Sequence, residues 1–166
     1  MEQQETNSNI VLQILDQYGG FFAELGEYEM ADVVYEKAYL VSTEALGAQD
    51  PRTTLRLQTL ANNDAELQRY ELAEQRLQDA QATLVTAVGA EALPTINVLE
   101  DLAQLYQRQG KLRPALEPLE QSYALRTKVQ GPEETQTLET KERLAELYRQ
   151  LGRPNEAEPM FLEVIA

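Results

Sequence analysis

Large apolar residues recur every three or four positions along this chain, and short polar turns interrupt them at regular intervals. Ile96, Leu99, Leu102, Ala103 and Tyr106 form one such stripe, the mark of a helix buried along one face. A second stripe follows as Leu112, Ala115, Leu116, Leu119, Ser122, Tyr123 and Arg126. Gly110 stands between them, where a residue just past a helix end needs a left-handed backbone that glycine adopts cheaply. Leu144, Ala145, Tyr148, Gly152, Ala157, Phe161 and Val164 repeat the arrangement. The spacing predicts helix-turn-helix pairs, eight helices in all, each of roughly 17 residues and about 25 Å.

The pairs keep a fixed period. Ala31, Ala73, Ala115 and Ala157 lie 42 residues apart, as do Gly47, Gly89 and Gly131. Gly26, Gly110 and Gly152 share that phase, with Gln68 in the remaining slot. Leu60, Leu102 and Leu144 fall in step with Tyr18, and Ala61, Ala103 and Ala145 with Gly19. A period of this length marks stacked repeats, each burying its apolar face on its neighbours. Asp50-Pro51 reads as an N-cap followed by a first-turn proline, with Pro94 and Pro132 at matching places. Pro114, Pro118, Pro154 and Pro159 are expected at or near the starts of second helices, where N–H groups lack intrahelical partners. No low-complexity linker occurs. The expected organisation is therefore a polar tail over residues 1–9 and a single domain over 10–166, with repeats at roughly 10–51, 52–93, 94–135 and 136–166.

One repeat departs from the rest. Asn63-Asp64 stands where the neighbours have Phe21-Phe22, Leu105-Tyr106 and Leu147-Tyr148. Either the second first-helix carries a polar notch, in which Asp64 must be hydrated or hydrogen-bonded, or it rotates to expose these groups. Tyr18, Tyr28, Tyr35, Tyr70, Tyr106 and Tyr148 sit at recurrent apolar slots, so core packing accounts for them.

Leu102-Ala103-Gln104-Leu105-Tyr106 with Gly110, Leu144-Ala145-Glu146-Leu147-Tyr148 with Gly152, and Ala157-Glu158-Pro159-Met160-Phe161 together resemble the tetratricopeptide pattern. The usual repeat has 34 residues; the longer form here is similar to the repeats of kinesin light chains and their bacterial relatives. The resemblance covers about residue 10 to the end. It implies an all-α fold, a right-handed α-solenoid of about four helix-turn-helix repeats, whose first helices line a concave groove. It also implies a protein- or peptide-binding scaffold. Counting inward positions by that analogy gives a partner-binding set of Asp16, Gln17 and Glu24 in the first repeat and Gln58, Asn62 and Glu66 in the second. Asn97, Glu100, Asp101, Gln104 and Arg108 follow in the third, and Glu142, Arg143, Glu146 and Arg149 in the fourth. The full inward count holds eight acids and three arginines, so a basic or neutral partner is expected over an acidic one.

Composition sharpens this reading. Against 28 acids stand 14 bases, a net charge of −14, and residues 1–51 alone hold ten acids and Lys37. Such a field repels phosphate backbones and anionic lipid, so neither nucleic acid nor a membrane surface is an expected partner. No apolar run is long enough to span a bilayer, and the first nine residues lack a signal-peptide pattern. Histidine and cysteine are absent. That removes the usual general base, the thiolate nucleophile and the commonest metal ligands. No P-loop, GxGxxG or calcium-loop pattern occurs. The chain is expected to be a cytoplasmic protein with no enzyme activity, cofactor or metal. The alternative function is self-assembly through the apolar carboxy-terminal helix, with Met160, Phe161, Val164 and Ile165 as contacts. These residues fall where a further repeat would cover them. A homodimer through the fourth repeat, or a longer array of which this chain is a piece, would do so.

Overall fold

The computed structural model describes the backbone of residues 2–164 and the side chains of residues 8–164. Among the described residues eight helices follow one another: α1 (Glu2–Glu24), α2 (Tyr28–Leu46), α3 (Pro51–Glu66), α4 (Tyr70–Ala87), α5 (Leu93–Arg108), α6 (Leu112–Val129), α7 (Thr135–Gln150) and α8 (Pro154–Val164). No strand occurs among the described residues. Helix α1 begins at Glu2, so the stretch expected as a polar tail is helical from there.

Every turn falls where the 42-residue phase puts it. Gly26, Gly47, Gly89, Gly110, Gly131 and Gly152 all adopt positive φ, between 71° and 102°. Gln68, in step with Gly26, Gly110 and Gly152, also has a positive φ, 58°, despite its side chain. The turn is therefore imposed by the two helices it joins, not by glycine alone. Asp50 caps α3 as expected, accepting from the Arg52 N–H at 2.8 Å. The prolines divide. Pro154 opens α8, but Pro118 and Pro159 lie inside α6 and α8, past the first turn, where each removes one ladder hydrogen bond. Pro132 lies in the turn ahead of α7, which starts at Thr135.

Packing resolves into two compact units, Met1–Gly89 and Ala90–Ala166. In the first unit α1 packs on α2, α2 on α3 and α3 on α4; in the second the order is α5, α6, α7, α8. Ala31, Ala73, Ala115 and Ala157 are almost wholly buried, as close approach between the helices of a pair requires. In the second unit Ala103, Ala115, Leu119, Leu144 and Leu147 form the centre, with Tyr106, Tyr148 and Met160 packed around it.

Tyr18 does not follow its slot into a core: it is 58% exposed, and the other five tyrosines of the set are half-buried.

Candidate functional site

The first unit brings α1 and α3 side by side above α2. One groove, of about 240 Å³, is lined by Ala23, Tyr28, Tyr35, Thr59, Asn62, Asn63 and Glu66. A second, of about 350 Å³, is lined by Asp16, Tyr35, Arg52, Leu55, Arg56 and Thr59. Tyr35 and Thr59 belong to both. Three predicted contact residues, Asp16, Asn62 and Glu66, therefore meet along one strip. Asp16 is held there by Arg56, whose Nη2 and Nε donate at 2.6 and 3.1 Å. Burial pushes the Tyr35 phenol above its usual value, and the charges of Asp16 and Glu24 add to it.

The other predicted residues of this unit lie elsewhere. Gln17 and Glu24 are exposed on α1 but line neither groove, and Gln58 is only 7% exposed, inside the unit. Tyr35 and Arg56 were absent from the predicted set because they do not stand at inward first-helix positions. A signal existed in Tyr35, the one hydroxyl in a slot held elsewhere by Leu77, Leu119 and Phe161.

The polar notch is an internal ion-pair network. Asp64 is fully buried and accepts from Arg76 of α4 and, at 3.4 Å, from Arg69, which also reaches Asp32 at 2.7 Å. Asn63 donates to the Tyr28 carbonyl at 3.0 Å. Burial pushes the Asp64 carboxyl up, and the Arg76 charge opposes it. Nothing rotates outward. One clue lay in the sequence: Arg76 occupies the slot of Val34, Pro118 and Met160, so carboxylate and guanidinium replace an apolar pair together.

In the second unit the predicted set separates. Glu100 turns inward, accepting from Ser122 Oγ at 2.6 Å, Arg126 Nε at 2.6 Å, Thr140 Oγ1 at 2.7 Å and Arg143 Nη1 at 3.4 Å. Arg126 is itself buried and donates to Asn97, Gln130 and Gln136. Burial alone would raise the Glu100 carboxyl, but the donors from Arg126, Ser122 and Thr140 hold it below the usual carboxylate range. Glu100, Asn97 and Arg143 thus tie α5, α6 and α7 together. Asp101 is half-buried, while Gln104 and Arg108 lie exposed on α5. Glu146 and Arg149 neutralise each other through two hydrogen bonds at 2.6 and 2.7 Å, and Arg149 with Gln150 holds the exposed Glu146 carboxyl down at about 2.

Glu142 and Arg149 instead border an apolar groove of about 450 Å³ between α7 and α8, with Phe161 and Val164 of the predicted self-association set in its wall. Met160 packs on the core instead, and Ile165 lies outside the described residues. Among the described residues no cluster of three acidic side chains is placed to hold a metal ion, and no helix is long and apolar enough to cross a membrane.

Comparison with known proteins agrees with this architecture. Two tetratricopeptide repeat family models match, one over residues 54–128 and one over 137–166, together well over half of the chain. A crystal structure of nearly identical TPR-like repeats, from a Podosopora anserina protein described as a kinesin light chain, superposes with a TM-score of 0.83. It is 21% identical and is matched over 93% of this chain and 73% of its own. BtubC (BKLC) from P. vanneervenii gives a TM-score of 0.84 at 19% identity, over 95% of this chain and 63% of its own. MamA from Desulfovibrio magneticus RS-1 gives 0.65 at 19% identity, over 93% and 73%. No curated protein matches the sequence. Repeat models along the sequence and repeat architecture in the helices converge: this chain belongs to the tetratricopeptide repeat family, in its elongated 42-residue form.

Proposed function

We propose that the chain is a non-enzymatic protein-binding scaffold that holds a basic or neutral peptide segment against α1 and α3. The observation that carries this reading is the strip of two neighbouring grooves lined from both first helices, with Asp16, Asn62, Glu66 and Tyr35 along it. An amide and a phenol supply hydrogen bonds to peptide groups, while Leu55 and Ala23 give apolar contact. Residues 1–89 hold fifteen acids and five bases, a field that attracts cationic segments and repels acidic ones. The same reading assigns the protein to a reducing cytoplasm, which suits a chain without cysteine.

Selection from a random peptide library tests the reading. Enrichment of lysine and arginine is expected, with binding that weakens as salt rises. Asn62→Ala and Glu66→Gln should each reduce affinity several-fold. Enrichment of acidic peptides, or binding indifferent to both substitutions, overturns it.

A second reading, self-association, is favoured by the apolar groove between α7 and α8.

A further inference from the structure

Helix α1 exposes what its counterpart α7 buries. Val11, Ile14, Tyr18 and Phe21 occupy the repeat slots of Thr137, Thr140, Leu144 and Leu147, three periods apart. In α7 these slots are at most 3% exposed, and Leu144 and Leu147 pack on Ala103, Ala115 and Leu119 of the preceding pair. In α1 the same slots are 44%, 46%, 58% and 55% exposed. Each is filled by a large apolar side chain.

The groove between α7 and α8 is the complementary half. Ala157, Phe161 and Val164 stand one period after Ala115, Leu119 and Ser122, which are fully buried where α6 meets α7. The groove thus repeats the seat that α7 occupies, with Leu162 57% exposed at its edge.

We propose that α1 of one copy docks into the α7–α8 groove of a second copy, head to tail, in the register that α7 takes on α5 and α6. The inference rests on the self-association reading and specifies its geometry. Such a joint is heterologous: each copy uses one face and leaves the other open, so growth passes beyond the dimer. Contact is apolar while each copy carries a net −14. Raising salt therefore strengthens the joint, the opposite of its effect on a basic peptide.

Sedimentation velocity on the full 166-residue chain tests this, with Phe21→Glu and Leu162→Glu as variants at exposed positions. Wild type should grow past the dimer with concentration and salt. Each variant alone should be monomeric, with helicity unchanged by circular dichroism, and an equimolar mixture should give one heterodimer and nothing larger. A second measurement uses the absence of native cysteine. Tyr148 donates to Glu120 at 2.6 Å, and one step along the proposed register these slots are Phe22 and Leu162. Separate Phe22→Cys and Leu162→Cys chains should join through a short bis-maleimide only when mixed. A wild-type dimer with neither complementation nor mixed cross-linking means twofold pairing; that overturns the head-to-tail joint and leaves self-association standing. A wild-type monomer at hundreds of micromolar overturns both.

Discussion

Gly19 and Tyr35 illustrate how single side chains in this repeat adjust to one another. A Cβ on Gly19 would run into the Tyr35 ring. In the second and third repeats the same two slots hold alanine and the narrower leucine, Ala61 with Leu77 and Ala103 with Leu119, while the fourth holds Ala145 with Phe161. Gly19→Ala should destabilise by about 1–3 kcal/mol despite the better helix propensity of alanine. In a Tyr35→Leu background the same change should stabilise by about 1 kcal/mol, and urea denaturation of the four proteins measures the coupling. Glu100 is the opposite case, a polar hub. Glu100→Gln leaves Arg126 buried with weakened partners and should cost about 2–3 kcal/mol. Its carboxyl is depressed in the fold, so its stabilisation is present above the ordinary value of 4.5 and drains away as pH falls through the lowered one. Thermal midpoints between pH 6 and 3 should therefore fall less steeply for the variant than for the wild type.

At the level of helices and turns, geometry overrides composition at one position. Gln68 holds a left-handed backbone that costs a non-glycine residue about 1 kcal/mol. Gln68→Gly should raise stability by up to about 1 kcal/mol, reduced by the freer unfolded chain. Chemical denaturation checks the sign, and a clear loss would mean the Gln68 side chain contributes. Close helix approach sets the other expectation. Ala73→Leu or Ala115→Leu should cost about 1–3 kcal/mol or more, since both alanines are 0% exposed. Wild-type urea midpoints in both variants would remove the packing assignment. The helix boundaries, turns and apolar stripes were legible because each depends on neighbours within one turn or one period. The placement of Pro118 and Pro159 inside helices was not, because tertiary packing of α6 and α8 tolerates a lost ladder bond that local propensity counts against.

For the whole molecule, charge is the dominant long-range quantity. Twenty-eight acids against fourteen bases repel one another in the folded state. Screening should raise the thermal midpoint between 10 and 150 mM salt, because the exposed ion pairs lost to screening are worth little each. A midpoint that falls would give the ion pairs the larger share. The sequence by itself determined the fold class, the number of helices, the turn positions and the family, because all of these follow from a periodicity repeated four times. Only the tertiary structure decided which polar groups are open. Asp16 and Glu100 stand at equivalent inward positions by count, two periods apart, yet Asp16 lines a groove and Glu100 is enclosed by Ser122, Arg126 and Thr140. A repeat pattern specifies direction from the helix axis. Whether a side chain pointing that way meets solvent or a partner depends on residues of other helices, which differ from repeat to repeat.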